Sequence, residues 1–112
     1  MGVEVTSDLR EALTGADVVY ALRIQLERQA SSAFPSLREY IRLYRVDNES
    51  LQVAPRHALI MHPGPINRDI ELAADVADGP RSVILEQVSN GVAIRMAVMH
   101  LLANSAASEN SQ

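Results

Sequence analysis

The stretch Ala58-Leu59-Ile60-Met61-His62-Pro63-Gly64-Pro65, with Ile66-Asn67-Arg68 behind it, decides the fold. Four apolar residues, ALIM, end abruptly where two prolines flank a glycine. Proline fixes its own φ and lacks an N–H, so HPGPIN cannot be the interior of a helix or a strand. ALIM then reads as a short strand buried on both faces. The same pattern stands earlier in the chain. Val18 to Leu22 (VVYAL) is an apolar, β-branched run, and Arg23-Ile24-Gln25 follows it. Each strand ends in the most polar and least ordinary residues around it.

Working outward, Val3 to Val5 reads as a short strand remnant. Ser7 or Asp8 can cap a helix running to about Leu13, with Glu11 in its first turn and Gly15 ending it. Arg23 to Ala33 is polar and irregular. Ser36 opens a helix with Leu37, Tyr40, Ile41 and Tyr44 on one face. Asp47 or Asn48 caps a further short helix through Leu51 and Val53. From about Ser82 to Ala103 the pattern is helical and apolar almost all round, which predicts a helix buried on several sides. Asn104 to Gln112 (NSAASENSQ) is small and polar, the composition of a frayed tail. Strands alternating with helices predict an α/β fold, a partial doubly wound parallel sheet flanked by helices. In such sheets ligands bind beyond the carboxyl ends of the strands. That rule sends the two polar strand ends to one site.

The 112 residues suit one domain, with 47% hydrophobic and 21% charged residues, which excludes a disordered class. The net charge is −4, and all ten basic residues are Arg, spread without a run. A nucleic-acid surface needs a basic stripe, so none is expected. With no Cys, disulfides, thiol catalysis and Cys-based metal sites are excluded. The same absence is compatible with a reducing cytosol. Val83 to Ala103 is broken by Glu86, Gln87, Ser89, Asn90, Arg95 and His100, so no membrane span is expected. The first residues lack the basic and apolar regions of a signal peptide. His57, His62 and His100 share no metal-ligand spacing, and no metal site is expected.

Three segments can carry chemistry. Arg23 at a strand end can hold an anion, because a guanidinium fork matches a carboxylate in two parallel hydrogen bonds. Gln25 can add an amide contact, and Glu27 can sit beside Arg23 and orient it. The plainer alternative is a solvated strand-end arginine with a local salt bridge. The HPGP segment, with two prolines and no side chain on Gly64, offers carbonyl oxygens and room for close approach. It suits an amide or amine N–H rather than an oxyanion. The alternative is a rigid loop in which backbone groups satisfy His62. In the third segment, Glu86 to Arg95, Asn90-Gly91 weakens a helix and Arg95 needs an acidic partner if buried, Glu86 being one candidate. A structural reading is favoured there.

LRIQLER (Leu22 to Arg28), FPSLREY (Phe34 to Tyr40), MHPGPINR (Met61 to Arg68) and LEQVSNGVAIRMAV (Leu85 to Val98) resemble, in order and spacing, the aspartate carbamoyltransferase family. The resemblance runs from about Val3 to Ala103. It implies that residues 1–103 form the C-terminal part of an Asp/Orn-binding domain with the carbamoyl-phosphate domain absent, while 104–112 beyond it is expected from its composition to be a disordered tail. It implies a cytoplasmic enzyme of pyrimidine synthesis that transfers the carbamoyl group of carbamoyl phosphate to L-aspartate, with no cofactor, metal or covalent intermediate. Carried over by position, Arg23 and Gln25 bind L-aspartate, Glu27 orients Arg23, and Gly64 and Pro65 contact carbamoyl phosphate through backbone. Full-length members form homotrimers with shared sites, so the chain alone is expected to be inactive. The other readings are a non-catalytic scaffold partner or an amino-acid-binding module. One departure stands out. Asp69 occupies a place where the family usually has Gly, a costly exchange if the backbone there has positive φ.

Overall fold

The computed structural model describes residues 2–25 and 36–111. Glu27, Arg28, Phe34 and Pro35 lie outside them. The elements run α1 (Leu9–Leu13), β1 (Val18–Tyr20), α2 (Leu37–Tyr44), a 3₁₀ turn (Ser50–Val53), β2 (Leu59–Met61), α3 (Ala74–Ala77) and α4 (Ile84–Asn110). β1 and β2 pair in parallel, with Val18 opposite Leu59, Val19 opposite Ile60 and Tyr20 opposite Met61. Parallel pairing puts both carboxyl ends at one edge. Ala21 N–H still donates to the Met61 carbonyl at 2.9 Å, so the two chains leave the sheet side by side. The far edge of β2 is occupied as well, by Ile60 N–H on the Arg81 carbonyl and Val83 N–H on the Ile60 carbonyl.

Local chemistry sets the helix starts. Asp8 caps α1 by accepting from Arg10 and Glu11 N–H, and Gly15 turns the chain out of it at φ 75°. Ser36 caps α2 by accepting from Glu39 N–H. Asp47 accepts from Ser50 N–H at 2.8 Å, and Ser50 Oγ accepts from Asp47 N–H at 2.9 Å. This reciprocal pair starts the 3₁₀ turn. The core gathers Leu13, Val19, Val46, Leu51, Ile60, Leu72, Val76 and Ile84, with Ile60 and Leu72 fully enclosed.

Five expectations are corrected. Val3 to Val5 forms no strand, and Val5 is 92% exposed. A strand's hydrogen bonds lie with its neighbour, and no neighbour is there among the described residues. β1 is not buried on both faces, since Val18 and Tyr20 are exposed while Val19 is enclosed. Nor is β2, whose Leu59 is exposed. α4 is not buried on several sides. Ile84 is enclosed, but Leu85, Ile94, Met96, Met99, Leu101 and Leu102 face solvent. It also continues to Asn110, through the segment read as a frayed tail. Ala103, Ala106 and Ala107 have the best helix propensity and carry the extension. Among the described residues no helix is long and apolar enough to cross a membrane.

Candidate functional site

The candidate site is the edge where β1 and β2 end. Beyond β1 the chain alternates, with Arg23 and Gln25 exposed and Ile24 between them buried. Arg23 has no ion-pair partner among the described residues, and Glu27, expected to orient it, lies outside them. Beyond β2, Gly64 stands at φ 70° and the Gly64–Pro65 peptide is cis. Nothing lies within 4 Å of where a Cβ on Gly64 would be, so the space over it is open. Positive φ explains why the position is glycine.

The two strand ends are joined. Asn67 Nδ2 donates to the Ile24 carbonyl at 3.0 Å, across 43 residues of sequence. That contact ties the HPGPIN loop to the residue between Arg23 and Gln25.

Beneath the loop lies a buried polar network. His62 is fully enclosed and Glu71 is 3% exposed. Gly64 N–H donates to His62 Nδ1 at 2.8 Å, so Nδ1 carries no proton. The proton is then on Nε2, which donates to Glu71 Oε1 at 2.9 Å. Asn67 N–H donates to the same Oε1 at 2.8 Å. Among the described residues Glu71 Oε2 is buried with no hydrogen-bond partner. His62 N–H donates to Gln87 Oε1, and Gln87 Nε2 donates to the Tyr20 hydroxyl, so α4 clamps the ends of both strands. Tyr40 is nearby. Burial first, then the Glu71 carboxylate and Tyr44, push its hydroxyl above the ordinary tyrosine range and keep it protonated.

Asp69, the residue standing in place of glycine, has φ 62°. The backbone there does require the left-handed region. Aspartate tolerates that region better than most residues. Its Oδ1 also accepts from Ala74 N–H at 2.8 Å, at the start of α3, where Ala73 offers no side-chain cap.

Arg95 is exposed, so it needs no buried partner. Nothing lies within 4 Å of a Cβ at Gly91, so no close approach explains that glycine among the described residues. An apolar hollow of about 510 Å³ beside β1 is lined by Leu13, Val19, Tyr40, Tyr44 and Val46, with Glu71 at its border. Arg23, Gln25, Gly64 and Pro65 do not line it, so it is not the candidate site. Among the described residues no three His, Cys, Asp or Glu side chains group to hold a metal. Sequence reasoning weighed Glu71 only beside Asp69 as a metal ligand, and Gln87 only within the Glu86 to Arg95 segment read as structural; it assigned neither to this site. The one signal for Glu71 was a charge set among apolar neighbours, Ile70 to Ala74.

Residues 2–102 match the family described as aspartate/ornithine carbamoyltransferase, Asp/Orn binding domain. The chain is 59% identical over 102 residues to the aspartate carbamoyltransferase catalytic subunit of Brucella anthropi, covering 91% of this chain and 32% of that one. It is 60% identical over 103 residues to the corresponding subunit of Halothermothrix orenii, covering 92% and 33%. The chain thus spans about a third of the length of the curated relatives it matches. Among solved structures, ornithine carbamoyltransferase from Burkholderia thailandensis superposes with a TM-score of 0.70 at 30% identity, over 88% of this chain and 30% of that one. Aspartate transcarbamoylase from Trypanosoma cruzi, in complex with carbamoyl aspartate and phosphate, superposes at 0.67 with 29% identity, over 84% and 28%.

Proposed function

Since the chain belongs to the aspartate/ornithine carbamoyltransferase family, through its Asp/Orn-binding domain, we propose that it supplies the L-aspartate half of a carbamoyl-transfer site. Arg23 pairs with a substrate carboxylate, and Gln25 adds an amide contact. Glu27 orients Arg23. The carbonyls around Gly64 and Pro65 accept from the carbamoyl NH₂ of carbamoyl phosphate, because that stretch lacks proline N–H donors. The aspartate amine attacks the carbamoyl carbon, a tetrahedral intermediate forms, and the bond to the phosphate oxygen breaks as the amine loses its proton. Orientation and charge complementarity carry the rate. The phosphate-binding groups come from outside these residues, from a carbamoyl-phosphate domain. The assembly is a trimer with shared sites, as the family resemblance implies. The observation that carries this reading is the Asn67–Ile24 hydrogen bond, which keeps the two polar strand ends together.

The test is co-production of this chain with a polypeptide holding the other two-thirds of the Brucella anthropi relative, followed by an assay for carbamoyl aspartate. Product is expected from the pair and from neither part alone. Arg23→Ala should lower kcat/KM for aspartate by about a hundredfold or more, the order for removing one partner of a buried charge pair. A stable, folded pair that makes no product would count against catalysis and favour a non-catalytic partner chain.

A further inference from the structure

We infer that Glu71 is a positioning residue that sets the spacing between the two halves of the site; this rests on the reading that Arg23, Gln25, Gly64 and Pro65 face substrate. One carboxylate oxygen governs both halves. Through Nε2 of His62 it fixes the imidazole whose Nδ1 receives Gly64 N–H. Through Asn67 N–H it fixes the residue whose side chain grips the Ile24 carbonyl. The coupling runs through side chains as well as along the chain. It passes through three side chains buried or half-buried beneath the loop. Burial matters because water does not compete for these donors, so each bond is directional and costly to leave unmade. Near-attack geometry tolerates little displacement, which is why spacing has catalytic weight.

Three variants separate the roles. Glu71→Gln keeps an amide oxygen that accepts from both donors, so it should keep both bonds, while its NH₂, where Oε2 finds no partner among the described residues, costs stability without loosening the loop. Glu71→Ala removes both bonds. Asn67→Asp is nearly isosteric and keeps the backbone N–H on Glu71, but it cannot donate to Ile24.

The first readout uses the 112-residue chain without ligand. Amide hydrogen exchange by NMR should speed up about tenfold at Gly64 and Asn67 in Glu71→Ala, the order of one net hydrogen bond, and stay near wild type in Glu71→Gln. Asn67→Asp should leave Gly64 protected but shift the amide resonances of Ile24 and Gln25. The second readout uses the co-produced pair. Asn67→Asp should lower kcat about tenfold with KM for aspartate within about twofold, because the anchoring guanidinium is intact while its distance to the loop is not. A merely structural role would instead reduce the amount of active enzyme in proportion to the loss of folded chain. The inference is overturned if folded Asn67→Asp leaves the Ile24 and Gln25 resonances in place, or if it turns over at the wild-type rate. If Glu71→Ala does not fold, the Asn67→Asp spectra still decide. A wild-type pair without turnover would sink the proposed function alone, since the exchange and shift data need no activity.

Discussion

Asp69 holds a backbone angle of 62° that favours glycine, and it answers a second demand that glycine cannot meet. Its carboxylate accepts from Ala74 N–H and so caps α3. Two opposed effects follow from any substitution. Asp69→Ala keeps the left-handed strain and loses the cap, and should cost about 1–2 kcal/mol. Asp69→Gly also loses the cap but relieves the strain, so it should fall clearly closer to wild type. Urea unfolding followed by circular dichroism checks the order. If alanine proved as stable as glycine here, the strain argument would fail. The need for positive φ was foreseeable from Asp69 standing where the resembling family has glycine. The compensating cap was not, because it depends on where α3 begins, and a four-residue helix leaves no periodic signal.

At the scale of elements, caps and breakers were legible because their physics is local. Asp8, Ser36 and Asp47 act within three residues of themselves. Gly15 permits the positive φ that ends α1, and the two prolines around Gly64 restrict the chain at their own positions. What failed to be legible was whatever depends on a distant neighbour. VVY reads as a two-sided core strand, yet Val18 and Tyr20 are exposed, which no local pattern reveals. The His62–Glu71–Asn67 network joins residues that only the folded loop brings together. The 3₁₀ turn itself begins behind Glu49, which makes no side-chain cap, but the Asp47–Ser50 pair ahead of it carries a pH prediction. Burial pushes its carboxyl up, but Ser50 and Arg45 together hold it below the ordinary carboxylate range. A lowered folded pKa means the contribution is complete above the unfolded value of about 3.9 and is lost as pH falls through the folded one. Asp47→Ala should therefore cost about 1 kcal/mol at neutral pH, and the gap from wild type should close below about pH 4. A gap that stays constant from pH 7 to pH 3 would show the carboxylate charge to be irrelevant.

The whole molecule is longer than its residue count suggests. Its radius of gyration is 18.3 Å, against about 13 Å for a compact chain near this length. α4 contributes to that length, and its large apolar residues lie open to water from Leu85 to Leu102. Such a surface promotes association. Sedimentation velocity should find the sedimentation coefficient rising with concentration. Met99→Lys with Leu102→Lys, two residues one turn apart and both well exposed, should weaken that association about tenfold or more, from the apolar area they no longer bury. A wild-type chain that stays monodisperse from micromolar to millimolar would refute the expectation.

At about 1.5 Å per residue, α4 amounts to a rod about 40 Å long fixed to a small body at one end. Rotational diffusion of such an object is directional. End-over-end tumbling is slow and spinning about the long axis is fast. Amide N–H vectors in α4 lie nearly along that axis, while those of β1 and β2 take other orientations. Transverse relaxation should therefore be systematically faster along the rod than in the sheet, even where both are equally rigid. Once a partner covered the rod, that difference would shrink, which offers a label-free signature of assembly.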